Sequence, residues 1–428
     1  MKSRTKSKAA GIDRSVLRLL PEQEVQLSLP VAGVLRDVKS AFMGLCIEAG
    51  KGVLAAMMEA ERGNFCGAKG VPDPRRAAVR GGSTRSSITL GGRRIGIARP
   101  RARDLTEGEL ALPSYTWATH RDPLDEATLS AIAAGVSTRR YRSALDRVDA
   151  EQDQSAVSKS AVSRRFVAMS GAQLKAWLSV PIPAALPVIM IDGIHYRDSV
   201  VLVCLGFDSQ GKKHVLGIRE GSTEKTEVVR ALLADLIDRG LAADMPRLWV
   251  IDGGKALRRA IAEVFGIHAL VQRCQEHKRR NVLGHLPESM QASVAKAMRD
   301  AWQSTNAGLA KRQLERLAGS LKAKHPGAAG SLREGLEETL TLTELGVRDT
   351  LYRSLRTTNP IENLNGSIAH YSRNVKRWKD ASMILRWVAF SLQEASRGFR
   401  AVRGFRDFKK LIAAMTTHVD KQSQRKVA

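Results

Sequence analysis

Val188-Ile-Met-Ile-Asp192-Gly193 and Leu248-Trp-Val-Ile-Asp252-Gly253 share one pattern, four consecutive apolar residues followed by Asp-Gly. Side chains on a strand alternate between faces, so an unbroken apolar run is buried on both sides and belongs in the middle of a helix-covered sheet. An aspartate following such a run lies beside the core. Placing a carboxylate there is costly unless a cation or hydrogen-bond donors compensate, and two carboxylates on neighbouring strand ends repel each other. A divalent cation resolves both problems. The plainer alternative is that each Asp-Gly only turns the chain after a strand.

Working outward, Val200 to Phe207 and Lys213 to Arg219 read as further strands, Thr223 to Arg239 as an amphipathic helix, and Lys255 to Phe265 as a helix after the second Asp-Gly. Three strands, a helix, a strand and a helix is the order of an RNase H-like α/β sheet with an antiparallel flank. Pro181-Ile-Pro-Ala-Ala-Leu-Pro187 reads as the linker before it. From Pro287 to about Gly346 the periodicity is helical, punctuated by Pro326-Gly327, which predicts an all-α insertion. Helical pattern resumes at Asn359. The tail interleaves Phe399, Phe405 and Phe408 with Arg and Lys, and an amphipathic helix capping the sheet is preferred there over direct nucleic-acid contact. The predicted segments are 181–286 for the first part of the α/β domain, 287–346 for the insertion, 347–398 for the second part and 399–428 for a basic tail.

Ahead of these, residues 1–63 are expected to form an N-terminal helical region, in which residues 30–62 carry helical periodicity through Val34, Leu35, Val38, Phe42, Leu45, Val53, Leu54, Met57 and Met58. Residues 64–121 are rich in Gly, Pro and Arg. Within them Ser87-Ile-Thr-Leu-Gly-Gly-Arg-Arg-Ile-Gly-Ile sets two alternating runs around Gly91-Gly92, a basic β-hairpin signal. In 122–180, two short helical patterns meet at Gly135-Val136-Ser137, where Gly suits the turn and Ser137 an N-cap, which is helix-turn-helix spacing. A third helix is predicted from Ser158 or Ser160.

The chain has 428 residues, enough for several domains, with 43% hydrophobic residues, 5% aromatics and a formal net charge of +26. Its pI is near 10.4. The basic residues run from Lys2 to Lys426, so several surfaces can meet phosphates, which favours nucleic acid over a membrane patch. Charge alone does not separate an enzyme from a DNA-packing protein. Cys46, Cys66, Cys204 and Cys274 form no CxxC pair, so neither a disulfide framework nor a zinc ribbon is expected, and a reducing cytosol fits. No apolar run of about 18 residues predicts a membrane span.

Phosphodiester cleavage and transfer need a deprotonated oxygen nucleophile and relief of charge on phosphorus, which two metal ions roughly 3.5–4 Å apart supply. Mg²⁺ takes a few carboxylates and leaves positions for water and phosphate oxygens, so three acidic residues suffice. The third candidate is Glu362, in Arg356-Thr-Thr-Asn-Pro-Ile-Glu-Asn-Leu-Asn-Gly366. It has a competing structural role: with Asn359 as N-cap and Pro360 at N1, Glu362 falls at N3 and completes a capping box. Both roles can coexist. Cys274-Gln-Glu-His277 has two-ligand spacing but no second pair for a structural zinc. Its i, i+3 offset puts Cys274 and His277 on one helix face among Arg273, Lys278, Arg279 and Arg280, which is either solvated surface or a phosphate-facing patch.

Together these residues resemble the mutator-type transposases of bacterial insertion sequences. The match rests on Val188 to Asp192, Trp249 to Leu257, Gly221-Ser-Thr-Glu-Lys-Thr-Glu227, Val271-Gln-Arg-Cys-Gln-Glu-His-Lys-Arg-Arg-Asn-Val-Leu283 and Thr357-Thr-Asn-Pro-Ile-Glu362. The resemblance implies an RNase H-like catalytic domain interrupted by a helical insertion, with Asp192, Asp252 and Glu362 as its DDE triad. Cys274 and His277 match the family's Cys-x2-His motif beside the active site. Trp302 either matches a tryptophan of the insertion or is core. The implied cofactor is a pair of divalent ions, Mg²⁺ or Mn²⁺. The implied partner is double-stranded DNA, both the terminal inverted repeats of the element and its target, bound by a homodimer or larger assembly in the bacterial cytoplasm, associated with the nucleoid.

DNA contacts are expected from Arg93 and Arg94 of the hairpin, Arg139 and Arg140 of the helix-turn-helix, and Lys159, Arg164 and Arg165 of the third helix. Arg273, Lys278, Arg279 and Arg280, and beyond the insertion Arg356, Arg373, Lys376 and Arg377, complete that set. The alternatives carried forward are a nuclease that only hydrolyses, a helix-turn-helix regulator, and an inactive, domesticated relative.

Overall fold

A computed structural model describes residues 38–71, 78–90, 93–104, 108–120, 154–156, 159–196, 199–221 and 225–427, with residues 76, 132 and 135. The chain divides into two compact units, residues 1–166 and 167–428.

In the first unit, helix α1 (Val38–Cys66) packs on an antiparallel hairpin of β1 (Ala78–Leu90) and β2 (Arg93–Asp104). Leu90 pairs with Arg93, so the two strands meet on either side of the Gly-Gly signal. Strand β3 (Glu109–Leu110) leads into helix α2 (Pro113–His120), and β4 (Gln154–Ala156) pairs with β2 ahead of helix α3 (Lys159–Leu178). Leu54 and Met58 of α1 share a core with Ile88 of β1, with Leu112 just ahead of α2 and with Ala118 of α2, so the helical and β segments fold as one layer on another. Much of the basic character here is internally paired: Arg62 and Arg80 flank Glu59, and Arg99 and Arg101 flank Glu109. Most of the predicted helix-turn-helix, including Arg139 and Arg140, lies outside the described residues.

The second unit is built on a five-stranded sheet of β5 (Val188–Tyr196), β6 (Ser199–Phe207), β7 (Lys213–Gly221), β8 (Arg247–Ile251) and β9 (Ala269–Arg273), in the order β7-β6-β5-β8-β9. The first three strands form an antiparallel meander, and β8 and β9 add in parallel. Parallel neighbours need crossovers, which α4 (Thr226–Asp238) and α5 (Lys255–Phe265) supply. Strand β9 is an addition to the sequence reading. Its Ala-Leu-Val-Gln-Arg is too short and too polar at its end to announce a strand.

Helix α6 (Gln275–Leu283) follows β9, and then α7 (Glu288–Trp302), α8 (Ala307–Leu321) and α9 (Pro326–Arg333) form the helical stretch the sequence predicted, with a core of their own around Met298, Trp302, Leu314 and Leu332. Short α10 (Thr341–Glu344) and α11 (Asp349–Leu355) lead back to α12 (Asn359–Tyr371), α13 (Ala381–Ser396) and α14 (Phe408–Val427). Alternation along β5 divides the core. Ile189 and Ile191 join Leu232, Leu236, Leu257 and Ile261 of α4 and α5 on one face. Val188 and Met190 join Ile361, Leu364, Val388, Phe408 and Met415 of α12 to α14 on the other. The tail helix therefore caps the sheet, as its pattern indicated. Among the described residues, no helix is long and apolar enough to cross a membrane.

Candidate active site

Asp192 keeps the parity of Val188 and Met190, so it projects toward the sheet face covered by α12. There its Oδ2 accepts a hydrogen bond of 2.7 Å from Nδ2 of Asn365. Asp252 follows the last residue of β8, and its Oδ1 accepts from the backbone N–H of Gly254 at 2.8 Å, a tight Asx turn. Gly253 within that turn has φ 104°, and a Cβ there would stand 2.1 Å from Nε of Arg273. Only glycine fits this position without strain.

Burial, and after it the negative charge of Asp252, pushes the Asp192 carboxyl up to about 6; the charge of Glu362 adds to this, while the Gly193 backbone N–H and the charge of His277 oppose it. Three carboxylates from β5, the end of β8 and the start of α12 thus share one electrostatic neighbourhood, across a helical stretch that fills residues 288–344.

Glu362 does not form the expected capping box. Helix α12 starts one residue earlier than its sequence signals suggest, with Thr358 rather than Asn359 at the N-cap and no side-chain cap bond, so Glu362 falls past N3. Its Oε1 instead accepts from the Thr358 hydroxyl at 2.5 Å and lies 3.8 Å from Nδ1 of His277. The carboxylate faces the N-cap hydroxyl and His277 rather than the backbone N–H groups of the helix end.

The backbone N–H of Cys274 bonds to Ile251 O at 2.7 Å and that of Gln275 to Arg356 O at 3.0 Å, which ties β8, α6 and the approach to α12 together. Cys274 is the N-cap of α6; its Sγ accepts from His277 N at 3.5 Å, from Thr358 N at 3.5 Å and faces the Thr358 hydroxyl at 3.3 Å. Ligand-capable atoms of Cys274, His277 and Glu362 lie within 4.8 Å of one another. The hydrogen bond to Cys274 lifts His277 to about 9 despite burial, helped by the charges of Cys274, Glu362 and Asp252. Burial pushes the Cys274 thiol up, but bonds from His277 and Thr358 outweigh it and hold the group below its ordinary range. A cationic imidazole at neutral pH therefore stands among the carboxylates. The buried sulfur already has donors around it, whereas the carboxylate oxygens are hard donors suited to Mg²⁺ or Mn²⁺.

The predicted phosphate contacts divide. Lys278 has no exposed side-chain surface and donates to the carbonyls of Ser331 and Glu334. Arg273, with 6% of its side chain exposed, bonds to the Glu334 carbonyl and carboxylate. Both expectations are corrected: these cations fasten α6 and β9 to the helical stretch that follows and offer little or no surface to a phosphate. Arg279 is paired with Glu276, and Arg280 reaches the same carboxylate at 3.4 Å. Arg164, Arg373, Lys376 and Arg377 are exposed, and Arg165 and Arg356 are half-buried. Arg94 is exposed and bonds to Ser87 Oγ at 2.8 Å, Arg93 pairs through its backbone with Ala156, and Lys159 opens α3. Trp302 is buried and donates to Thr339 Oγ1 at 3.1 Å, the core role. Thr358 and Asn365 were not singled out from sequence. Asn365 had one available signal, its place three residues after Glu362 on the same helix face.

The family model described as Transposase, Mutator family, matches residues 26–401. The transposase for insertion sequence element IST2 of Acidithiobacillus ferrooxidans is 28% identical over 197 residues, 46% of this chain and 65% of that protein. The transposase for insertion sequence element IS6120 of Mycolicibacterium smegmatis is 32% identical over 178 residues, 40% of this chain and 54% of that protein. The chain thus spans less than two thirds of either relative. The transposase for insertion sequence element IS1081 of Mycobacterium tuberculosis is 25% identical over 400 residues, 88% of this chain and 87% of that protein. With the family model running from ahead of the first described helix to beyond α13, the chain belongs to the mutator family of transposases.

Proposed function

We propose that this chain binds the ends of an insertion sequence, cleaves DNA there to free a 3′-hydroxyl, and joins that end to target DNA at a site where Asp192, Asp252 and Glu362 hold two divalent ions, Mg²⁺ or Mn²⁺. One observation carries the reading: Asp192 is half-buried within reach of two further carboxylate charges, and its desolvation together with those charges pushes its carboxyl up to about 6. Such an arrangement is unfavourable by itself and favourable around cations. An antiparallel meander followed by two parallel strands supports an RNase H-like reading of the sheet, with residues 287–346 as its insertion. Exposed Arg94 and Arg164 support recognition of element ends by the residues before 180.

When bound, two such ions supply a deprotonated oxygen nucleophile and relief of charge on the phosphate. The remaining work falls to the chain. Asn365 and Gly254 hold the two aspartates in place. Thr358 does the same for Glu362, while the cationic His277 beside it would offer positive charge to phosphate oxygens brought to the carboxylates. Cleavage and joining are both in-line displacements at phosphorus, so one site serves both and no covalent link to the protein is needed. Double-stranded DNA, a dimer or larger assembly holding two ends, and a nucleoid location in the cytoplasm belong to the same proposal.

Incubation with end-sequence DNA and Mg²⁺ or Mn²⁺ tests it. Joined product is expected; cut product alone means a hydrolytic nuclease, and a bound complex with neither means a regulator or inactive relative. Glu362→Gln is expected to keep the melting temperature, because the amide can still accept from Thr358, and to lose cleavage. Retained cleavage removes Glu362 from the site.

A further inference from the structure

We propose that Asn365 is the positioning residue for Asp192, setting the orientation in which that carboxylate receives a divalent ion; the inference rests on the two-metal reading above. Helix α12 is anchored to the sheet by Ile361, Leu364 and Ile368, each at most 3% exposed. Residues three apart on a helix are neighbours, so Glu362 and Asn365 share the next face round. One seating of α12 therefore places both the third carboxylate and the amide that reaches across to the first, from Asn365 Nδ2 to Asp192 Oδ2 at 2.7 Å.

The chemistry of the amide fits this role. Turned the other way, its oxygen would face a carboxylate oxygen, so the NH₂ group must point at Asp192. A neutral donor fixes the carboxylate without cancelling its charge, whereas Arg or Lys at that position would compete with a cation for it. In a chain with 69 Lys and Arg residues, a neutral donor at this point leaves Asp192 anionic for its ligand. The other end of the amide does nothing for the fold: Asn365 Oδ1 is buried with no hydrogen-bond partner. An amide kept to lock a helix onto a sheet would have both ends satisfied, since an orphaned buried acceptor weakens the fold. Here only the end facing the carboxylate is used.

Mn²⁺ binding to the DNA-free, full-length protein, followed by electron paramagnetic resonance and calorimetry, tests the proposal alongside the melting temperature of the metal-free protein. The wild type is expected to bind Mn²⁺, and Asp192→Ala to abolish that binding. Asn365→Leu, close in volume but unable to hydrogen-bond, is expected to weaken Mn²⁺ binding about 10- to 100-fold with little change in melting temperature. The Mn²⁺ concentration needed for half-maximal cleavage should rise by the same factor. If the leucine variant does not fold, Asn365→Ala, which adds no bulk beside Asp192, is measured in its place. A merely structural residue gives the opposite split, a lower melting temperature with unchanged Mn²⁺ affinity, and that result overturns the proposal. Mn²⁺ uptake that survives Asp192→Ala overturns the two-metal reading and this one together. Uptake abolished by Asp192→Ala but unmoved by either Asn365 variant overturns this one alone.

Discussion

Strands β5 and β8 carry the same sequence pattern and set their aspartates in different mechanical surroundings. Asp192 lies inside β5, opposite Val203 in an antiparallel ladder running from Val188↔Phe207 to Tyr196↔Ser199. Its backbone is fixed by the sheet, and its side chain is held from outside by Asn365. Asp252 lies beyond the last pair of β8, Ile251↔Arg273, and its own carboxylate closes the turn that carries it. Identical local patterns thus give one acid that is positioned and one that does the positioning. The difference comes from the partner strand: an antiparallel neighbour carries the ladder past the aspartate, whereas the parallel ladders around β8 stop short of it.

For the proposed chemistry that difference is immaterial, because both acids are required. Asp192→Asn and Asp252→Asn are each expected to lower end cleavage about a thousandfold or more, equivalent to at least ~4 kcal/mol of barrier. The measurement is single-turnover cleavage of end DNA in saturating Mg²⁺. If either variant stays within about tenfold of the wild type, roughly 1.4 kcal/mol, the two aspartates do not serve one site.

The two glycines should separate where the aspartates do not. Gly253→Ala forces a side chain into φ 104° and onto an Arg273 that is itself buried and bonded to Glu334. A cost of about 2–4 kcal/mol in unfolding free energy is expected, from backbone strain and the displaced arginine. Gly193 is paired within β5 opposite Leu202 and has no positive φ, so Gly193→Ala escapes that strain. Denaturant unfolding of the two variants checks the contrast, and equal costs would break it.

The sequence carried the sheet's central strands because each is a short apolar run closed at once by Asp-Gly, too brief for a buried helix: Val188 to Ile191 and Leu248 to Ile251 have no exposed residue. It also carried the Gly91-Gly92 hairpin and the helical stretch after Pro287, each written in local periodicity. The capping box expected of Glu362 does not form. Capping signals at Asn359 and Pro360 are local, whereas the N-cap at Thr358 is set by contacts with Cys274, distant in sequence. Lys278 and Arg273 were misread for a related reason. Charge on a helix or strand end reads as surface unless the partner is known, and Glu334 reaches them through the fold of the helices after α6. Asn365 carries no charge, and its one sequence signal, the place three residues after Glu362, says nothing of the Asp192 carboxylate it reaches across the fold.

The smallest effects are the ones that test the mechanical difference directly, in the metal-free protein. Asp192 has an ordinary value of 3.8 raised to about 6, first by burial and then by Asp252. Between those two pH values the folded chain keeps a proton that the unfolded chain releases, so this group makes stability fall as pH rises from about 4 to 6. By neutral pH the loss amounts to about 1–3 kcal/mol. Asp192→Asn removes it, and the metal-free variant should unfold about 1–3 kcal/mol harder than the wild type at pH 7, with the gain gone at pH 4. Asp252→Asn should gain less, because it relieves only the repulsion between the two carboxylates and leaves Asp192's own desolvation in place, while its amide oxygen can accept from Gly254 as the carboxylate does. Parallel denaturant titrations at the two pH values measure both. A gain for Asp192→Asn that persists at pH 4 would mean that packing rather than charge makes Asp192 unfavourable, and a comparable gain for Asp252→Asn would mean that the electrostatic burden is shared equally between the two strands.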